Sequence, residues 1–345
     1  MQRTTTLIGR RAIMPQPRAV VFEEYEVPQP GPGQILIATE ASAISPGTEL
    51  AVYTGIHQWL ADPKRTWPKF PFTPGYSAVG RVLEVGEGVE TFRVGERVIW
   101  SGRQESHALA NVSDRNSVVT HINDDVDAQA AAATILARFP LAALVQSGPL
   151  IGQSVAVFGL GMIGQITLRL YAAAGAHPLI GIDPVAGRRA IAEHTAGVVT
   201  IDPTAGDLNT ALREHNDGEL PDIVVDATGA PNTVNAAMAA VTDGGKVVMV
   251  GSPRGIAGDV DFYWNLHGRS IQLIGAHGSA IGVEPREKFP YTQDRALRLL
   301  AYLVESGRLR IDDLISHTVP ASELGAMYEG LLNEREAFLG VTTYW

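Results

Sequence analysis

The chain has 345 residues, 45% hydrophobic and 19% charged, and its 27 Lys and Arg against 37 Asp and Glu leave a formal net charge of −10. The composition is globular, the length exceeds one ordinary core, so two domains are expected, and the acidic balance excludes a nucleic-acid backbone as partner. Cysteine is absent, which excludes disulfides, thiolate nucleophiles, iron–sulfur clusters and sulfur-ligated zinc.

The N-terminal stretch through Phe22 lacks the continuous apolar core of a signal peptide, so a cytoplasmic protein is expected. From Arg18 to about Val119 the pattern is one of short strands and turns. Ala19–Phe22 and Ile35–Ala38 flank Pro30-Gly-Pro-Gly33, and Gly80–Gly86 alternates apolar and polar residues before Gly95–Trp100. Closely spaced short strands with Gly-rich turns predict a partly closed barrel. The Ala-rich run Ala128–Val145, broken by Arg138 and Pro140, reads as a buried helix and not as a membrane span.

After Asp124 strands and helices alternate. Ser154–Phe158, Leu179–Ile182, Asp222–Asp226, Lys246–Val250 and Ile271–Ile274 read as strands, with a helix through Ala174 and another over Asn232–Val241. This alternation predicts an α/β doubly wound parallel sheet. Thr292–Trp345 then shows a helical face at Leu297, Leu300, Leu303 and Val304, followed by a strand-like ending. The order suggests a catalytic domain in two parts, 1–137 and 277–345, around a nucleotide domain over 138–276.

Gly159-x-Gly161-x-x-Gly164 follows the first of these strands and opens a helix, enclosing Met162 and Ile163. The first Gly permits the tight turn, the second lets the backbone approach a pyrophosphate, and the third allows close helix–strand packing. Asp183 ends the second strand, 24 residues after Gly159, where a carboxylate accepts hydrogen bonds from an adenosine ribose and repels a 2′-phosphate. Arg188 and Arg189 nearby could favour a phosphate, or Arg188 could stack on adenine. With Asp183 directly at the strand end, the reading is NAD over NADP. Pro184, Thr228, Gly251 and Ser252 complete the expected cofactor contacts, and His277 follows the last strand on the nicotinamide side.

At this point the sequence resembles the medium-chain dehydrogenase/reductase superfamily, which includes the zinc alcohol and sorbitol dehydrogenases. The resemblance rests on Pro30-Gly-Pro-Gly-Gln34, Pro46-Gly-Thr-Glu49, Pro74-Gly-Tyr-Ser77, Val85-Gly-Glu-Gly-Val89, Val94-Gly-Glu-Arg-Val98 and the glycine fingerprint, in that order. It implies a GroES-like β-barrel catalytic domain beside a Rossmann domain, and a homodimer or homotetramer. Zinc-dependent relatives carry Cys-Gly-Thr/Ser-Asp where this chain has Pro46–Glu49, and Gly-His-Glu where it has Gly75-Tyr76-Ser77. Pro46 has no ligand atom, Ser77 is a poor ligand, and Tyr76 is a phenol, so no metal site is expected. Pro-Gly-Thr-Glu and Gly-Ile-Asp183-Pro look like a Gly-Thr-Glu branch that includes hydroxyethyl-bacteriochlorophyllide dehydrogenase and sugar- or cyclitol-associated oxidoreductases.

The resemblance implies hydride transfer between NAD and a secondary alcohol or ketone of a small molecule, with hydrogen-bond donors standing in for zinc on the substrate oxygen. Thr48 matches a position whose hydroxyl contacts that oxygen, although a turn-stabilising threonine reads the same way. Glu49 has three open roles: orienting Tyr76, acting as a base, or pairing with an arginine. Tyr76 is a hydrogen-bond donor or an aromatic wall of the cleft. His107 is a further catalytic candidate whose alternative is structural. Arg138 faces either the cleft or the cofactor phosphates. The loop Gly278–Thr292, with Arg286, Lys288, Phe289 and Tyr291, is a substrate lid or an interface. The competing functions are an enone or quinone reductase of the same superfamily, and a non-catalytic nucleotide-binding protein.

Overall fold

Three sheets organise the chain in a computed structural model that describes residues 6–114, 118–282, 284 and 291–345. An antiparallel hairpin of β1 (Ile8–Ile13) and β2 (Val21–Glu26) comes first. Then β3 (Gln34–Ala43) runs as a ten-residue strand whose Ile35, Leu36 and Ile37 are all buried. Such burial of successive residues reflects cover on both faces of the strand. Pro46, whose ring presets the backbone angle of a first helical turn, opens α1 (Pro46–Tyr53). β4 (Ala78–Val85), β5 (Arg97–Trp100), β6 (His107–Asn111) and β7 (Val119–His121) follow.

The alanine-rich run is helical, as expected: α2 (Ala128–Ala133), a tight 3₁₀ turn over Thr134–Ala137, and α3 (Arg138–Ser147). By length and composition this segment is apolar enough to cross a membrane. Here it is an inner layer, with Ala130–Ala133 and Ile135–Ala137 in one apolar cluster with Leu297 and Leu300.

Next come β8 (Val155–Phe158), α4 (Met162–Ala173), β9 (Leu179–Ile182), α5 (Ala186–Ala192), β10 (Val198–Ile201), α6 (Leu208–Glu214), β11 (Ile223–Asp226), α7 (Thr233–Ala239), β12 (Lys246–Met249) and β13 (Gln272–Gly275). The six strands form one parallel sheet in the order β10-β9-β8-β11-β12-β13. In order of appearance that is 3-2-1-4-5-6, the doubly wound arrangement, and its strand order reverses between β8 and β11. Ligands bind this fold in the crevice at that reversal, beyond the carboxyl ends of the strands.

Finally α8 (Gln293–Glu305), β14 (Ile315–Pro320), α9 (Leu324–Asn333) and β15 (Gly340–Tyr344) return the chain to the first half. β15 pairs antiparallel with β3, Thr342 opposite Ala43. It completes the sheet β14-β15-β3-β4-β5-β7, with β6 paired to β3 as well. The GroES-like part is therefore built from both ends of the sequence.

Candidate active site

The cofactor side is built at the carboxyl ends of β8, β9, β11 and β12. Gly159 leaves β8 at φ +84°, a left-handed conformation, and a Cβ there would lie 2.9 Å from the Thr228 methyl. A Cβ on Gly164 would lie 1.8 Å from the Gly159 carbonyl oxygen, so this glycine is what lets α4 pack onto the turn. Gly161 differs: a Cβ there meets only Arg188 Nη1, at 4.0 Å. It is also the N-cap of α4 and brings no side-chain cap, which leaves the first-turn amides of Met162, Ile163 and Gly164 for a ligand.

Asp183 is where the sequence placed it, buried at the end of β9. Its carboxylate accepts from Leu160 N at 2.7 Å and Val185 N at 2.8 Å, and Arg188 Nη1 stands 3.8 Å away. Arg189 donates to the Asp183 carbonyl at 2.7 Å and pairs with Asp202. Pro184 is exposed beside them. Thr228 donates to Asp226 Oδ1 at 2.6 Å, and Gly251 packs against the Gly229 amide, with Ser252 exposed next to it. These contacts bring all the expected residues of the four turns to one edge of the sheet. The glycine cradle, the open helix N-terminus and the carboxylate fit a dinucleotide.

The opposite wall carries three hydroxyls. Tyr76 Oη is hydrogen-bonded to Ser45 Oγ and, at 3.5 Å, to Thr48 Oγ1. Ser45 is the N-cap of α1, yet its hydroxyl does not cap the helix. Glu49 accepts from the Ser45 amide at 2.7 Å, and Ser45 Oγ, leaving the helix amides uncapped, is turned to Tyr76. The Tyr76 ring meets Phe139 edge-on at 6.1 Å, and Phe139 meets His277 edge-on at 6.4 Å. Burial raises the Tyr76 pKa, outweighing its hydrogen bonds with Ser45 and Thr48 and the charge of Arg138, so the phenol keeps its proton at neutral pH.

The two walls touch. Arg254, in the loop after β12, donates from Nη2 to the Gly47 carbonyl at 3.0 Å and from Nη1 to Gln58 Oε1 at 3.2 Å. Gly47 immediately precedes Thr48, so this loop joins the cofactor side to the hydroxyl cluster.

Two of the three roles left open for Glu49, orienting Tyr76 directly and pairing with an arginine, are not what the structure shows. Glu49 has neither an arginine partner nor a hydrogen bond to Tyr76 among the described residues; its second oxygen accepts from Tyr328 Oη at 2.5 Å. Tyr328 is itself fully buried and stacked on Tyr53 at 5.0 Å. Burial pushes the Glu49 carboxyl up to about 7 from 4.5, against the pull of its hydrogen bonds. The folded state thus holds this proton more tightly than the unfolded chain. Its contribution to stability is fully present below pH 4.5 and is lost as pH rises through 7. Glu49→Gln is expected to flatten that dependence, on the order of 2 kcal/mol between pH 5 and pH 8. Denaturant titrations of both proteins at the two pH values check this; an unchanged slope would mean that Glu49 is charged in the fold.

His107 also sits elsewhere. It begins β6 opposite Ala38, its Nδ1 shares a hydrogen bond with Ser106 Oγ at 3.0 Å, and its carbonyl accepts from Tyr25. Those contacts belong to the outer barrel wall and the N-terminal hairpin, not to the hydroxyl cluster. His277 is exposed at the cleft and uses Nδ1 on Ser279, at 2.7 Å to Oγ. Arg286, Lys288 and Phe289 lie outside the described residues, while Tyr291 carries the Arg295 guanidinium over its ring at 4.7 Å. Sequence reasoning missed Ser45, Phe139, Tyr328 and Arg254.

Two family models match the chain: the alcohol dehydrogenase GroES-like domain over residues 31–126 and the zinc-binding dehydrogenase over residues 163–295. L-threonine 3-dehydrogenase of Pyrococcus furiosus is 28% identical, covering 91% of this chain and 90% of the relative. L-galactonate-5-dehydrogenase of Escherichia coli is 26% identical, with 96% and 98% covered. The structure of 2R,3R-butanediol dehydrogenase from Bacillus subtilis superposes with a TM-score of 0.82 at 21% identity, covering 98% of this chain and 99% of that one. Two further structures of the fold, from Sinorhizobium meliloti and Escherichia coli, hold NADP and NADH respectively.

Zinc, typical of this family, does not fit the side chains present. Pro46 offers no donor, Tyr76 is a neutral phenol engaged with two hydroxyls, and Ser77 Oγ is turned away, donating to the Ala132 carbonyl at 2.5 Å. Among the described residues no group of three or more His, Cys, Asp or Glu could hold a metal ion. With both halves matching alcohol dehydrogenase family models, a dinucleotide cradle and dehydrogenases as its relatives, the chain is an alcohol dehydrogenase-like oxidoreductase acting on alcohols.

Proposed function

We propose that the protein is a zinc-independent, NAD-dependent dehydrogenase interconverting a secondary alcohol and its ketone on a polyol, cyclitol or sugar-like compound. The observation that carries this reading is the Ser45–Tyr76–Thr48 hydroxyl cluster, held where the donor set cannot bind a metal. The sugar-derived substrate in the name of L-galactonate-5-dehydrogenase supports the substrate class. NAD, when bound, accepts the hydride from the alcohol carbon. Tyr76 Oη donates a hydrogen bond to the substrate oxygen and Thr48 Oγ1 accepts one from the alcohol O–H, which fixes the C–O bond; as the hydride leaves the carbon, the alcohol proton passes to Thr48 Oγ1 and the Thr48 proton passes on to water. Gly161 and the amides behind it would hold the diphosphate, and Asp183 would hold the adenosine ribose.

Reduced-nicotinamide absorbance, followed with a panel of polyols and sugar acids before and after dialysis against a chelator, tests the reading. Activity is expected to survive chelation. Elemental analysis finding one tightly bound zinc per chain would overturn the metal-free assignment.

Asp183→Gly is expected to weaken NADH and to narrow or reverse the preference over NADPH, because it removes both the ribose acceptor and the repulsion of a 2′-phosphate. Fluorescence titration with each reduced cofactor measures this. Equal affinities in the unsubstituted protein would assign selectivity to Arg188 and Arg189.

The same reading places the enzyme in the cytoplasm, with the apolar helical segment Ala128–Ser147 packed into the core. It also makes the enzyme a homodimer or homotetramer that joins through β13. That strand is a sheet edge, with Leu273 exposed along it and Tyr263 and Trp264 exposed in the segment before it. A monomeric mass by light scattering would remove the assembly from the proposal.

A further inference from the structure

Arginines buried elsewhere in this molecule are paired with carboxylates. Arg97 donates to Glu40 at 2.8 Å, and Arg169 is bidentate on Asp313. That is the expected state, since a guanidinium removed from water needs a counter-charge. Two part-buried arginines at the hydroxyl cluster break the pattern. Arg138 opens α3, next to the Phe139 that packs on Tyr76, and its hydrogen bond is from Nε to the Ile135 carbonyl at 3.3 Å. Arg254 reaches Gly47 and Gln58, both neutral, and its Nε is buried without a partner. Among the described residues neither has a carboxylate counter-ion.

The remaining acid nearby does not cancel them. Glu49 is spent on Ser45 and Tyr328, and burial keeps its proton on until about pH 7. Each guanidinium interacts electrostatically with Tyr76, and burial lowers the pKa of each. A chain of net charge −10 thus concentrates positive charge at its candidate reaction centre.

We propose that Arg138 and Arg254 form an anion subsite for the substrate, so that the alcohol oxidised carries an oxyanion, a carboxylate or a phosphate, beside the reacting carbinol. This rests on the dehydrogenase reading above and narrows it. The cofactor's diphosphate is the other source of such an anion, but the open helix N-terminus and Arg188, 4.0 Å from the Cβ position of Gly161, already serve that group. An anionic substrate would supply both unpaired cations at once with charge-assisted hydrogen bonds.

Calorimetric titration of the NADH-loaded protein at constant ionic strength separates the sources, with D-gluconate, inorganic phosphate and neutral sorbitol as probes. At least one of the two anions is expected to bind saturably, at least about tenfold more tightly than sorbitol. Arg138→Gln and Arg254→Gln should each remove most of that difference, with the Kd for NADH changed by less than about twofold. Melting curves identify a variant that fails to fold, and the comparison of anion with sorbitol in the unsubstituted protein then decides alone. Anions binding no better than sorbitol would overturn the proposal. So would variants that lose NADH affinity instead, which would assign the arginines to the diphosphate. Failure of the unsubstituted protein to bind NADH at all would sink the dehydrogenase reading, and this inference with it.

Discussion

Tyr76→Phe is expected to lower kcat by about a hundredfold or more while leaving the affinity for NADH nearly unchanged. The substitution keeps the ring, and so keeps the edge contact with Phe139 at 6.1 Å. It removes only the phenol hydroxyl that joins Ser45 to Thr48. A donor aimed at the oxygen where charge develops is worth about 2.7–4 kcal/mol of transition-state stabilisation. The same hydroxyl contributes about 1 kcal/mol to folding, the ordinary net value of one hydrogen bond. The two roles therefore separate by magnitude: a packing role lowers the melting temperature and spares turnover, whereas a catalytic role does the reverse. Thr48→Val removes the second hydroxyl at nearly constant shape. If the two hydroxyls act as one unit, the double variant should be little worse than the worse single one. Near-normal turnover in both single variants would take the assignment away from this cluster and turn attention to His277, the histidine exposed in the cleft.

What the sequence made legible follows from how each feature is encoded. Strands β8, β9 and β11 are buried on both faces, so each reads as an unbroken apolar run, and their turns carry Gly159, Asp183 and Thr228 at fixed offsets. β10 lies at the sheet edge with Val199 exposed, and its four residues give no comparable signal. The hydroxyl cluster was half legible. Thr48 and Tyr76 stand in family segments, but Ser45 before Pro46 has the pattern of an ordinary helix cap. Only the structure shows the Ser45 hydroxyl turned away from the helix amides to Tyr76. Tyr328 reaches Glu49 across 279 positions of chain, a separation over which no local pattern operates. The partners of Glu49 were not legible because a carboxylate is ordinarily solvated or paired with a cation. Its burial between a backbone amide and a tyrosine depends on α9 packing against α1. Arg254 carries no motif; it becomes conspicuous only when its partners turn out to be neutral.

The glycine fingerprint divides into positions that build the fold and one that leaves room for a ligand, and two alanine substitutions should separate them. Gly164→Ala would put its Cβ 1.8 Å from the Gly159 carbonyl oxygen and 2.9 Å from its carbonyl carbon, against the backbone of the turn. Relief requires α4 to move off β8, and α4 carries the buried Ile166, Leu168, Leu170 and Tyr171. Overpacking a core costs about 1–3 kcal/mol where side chains can adjust, and a backbone-to-backbone clash should cost about 3 kcal/mol or more. Gly161→Ala meets no such obstacle. Its φ of −67° and ψ of −177° suit any residue, and the nearest atom to the new methyl is a flexible guanidinium nitrogen 4.0 Å away. Its stability should stay within about 0.5 kcal/mol of the unsubstituted protein. The methyl would nevertheless stand over the open amides of the α4 N-terminus, where a diphosphate must approach the backbone closely. NADH affinity should therefore fall by about tenfold or more. Melting curves and NADH titrations of the two variants give opposite patterns on this account: unstable for Gly164→Ala, stable but weakly binding for Gly161→Ala. Unchanged NADH affinity in Gly161→Ala would place the diphosphate somewhere other than this helix terminus.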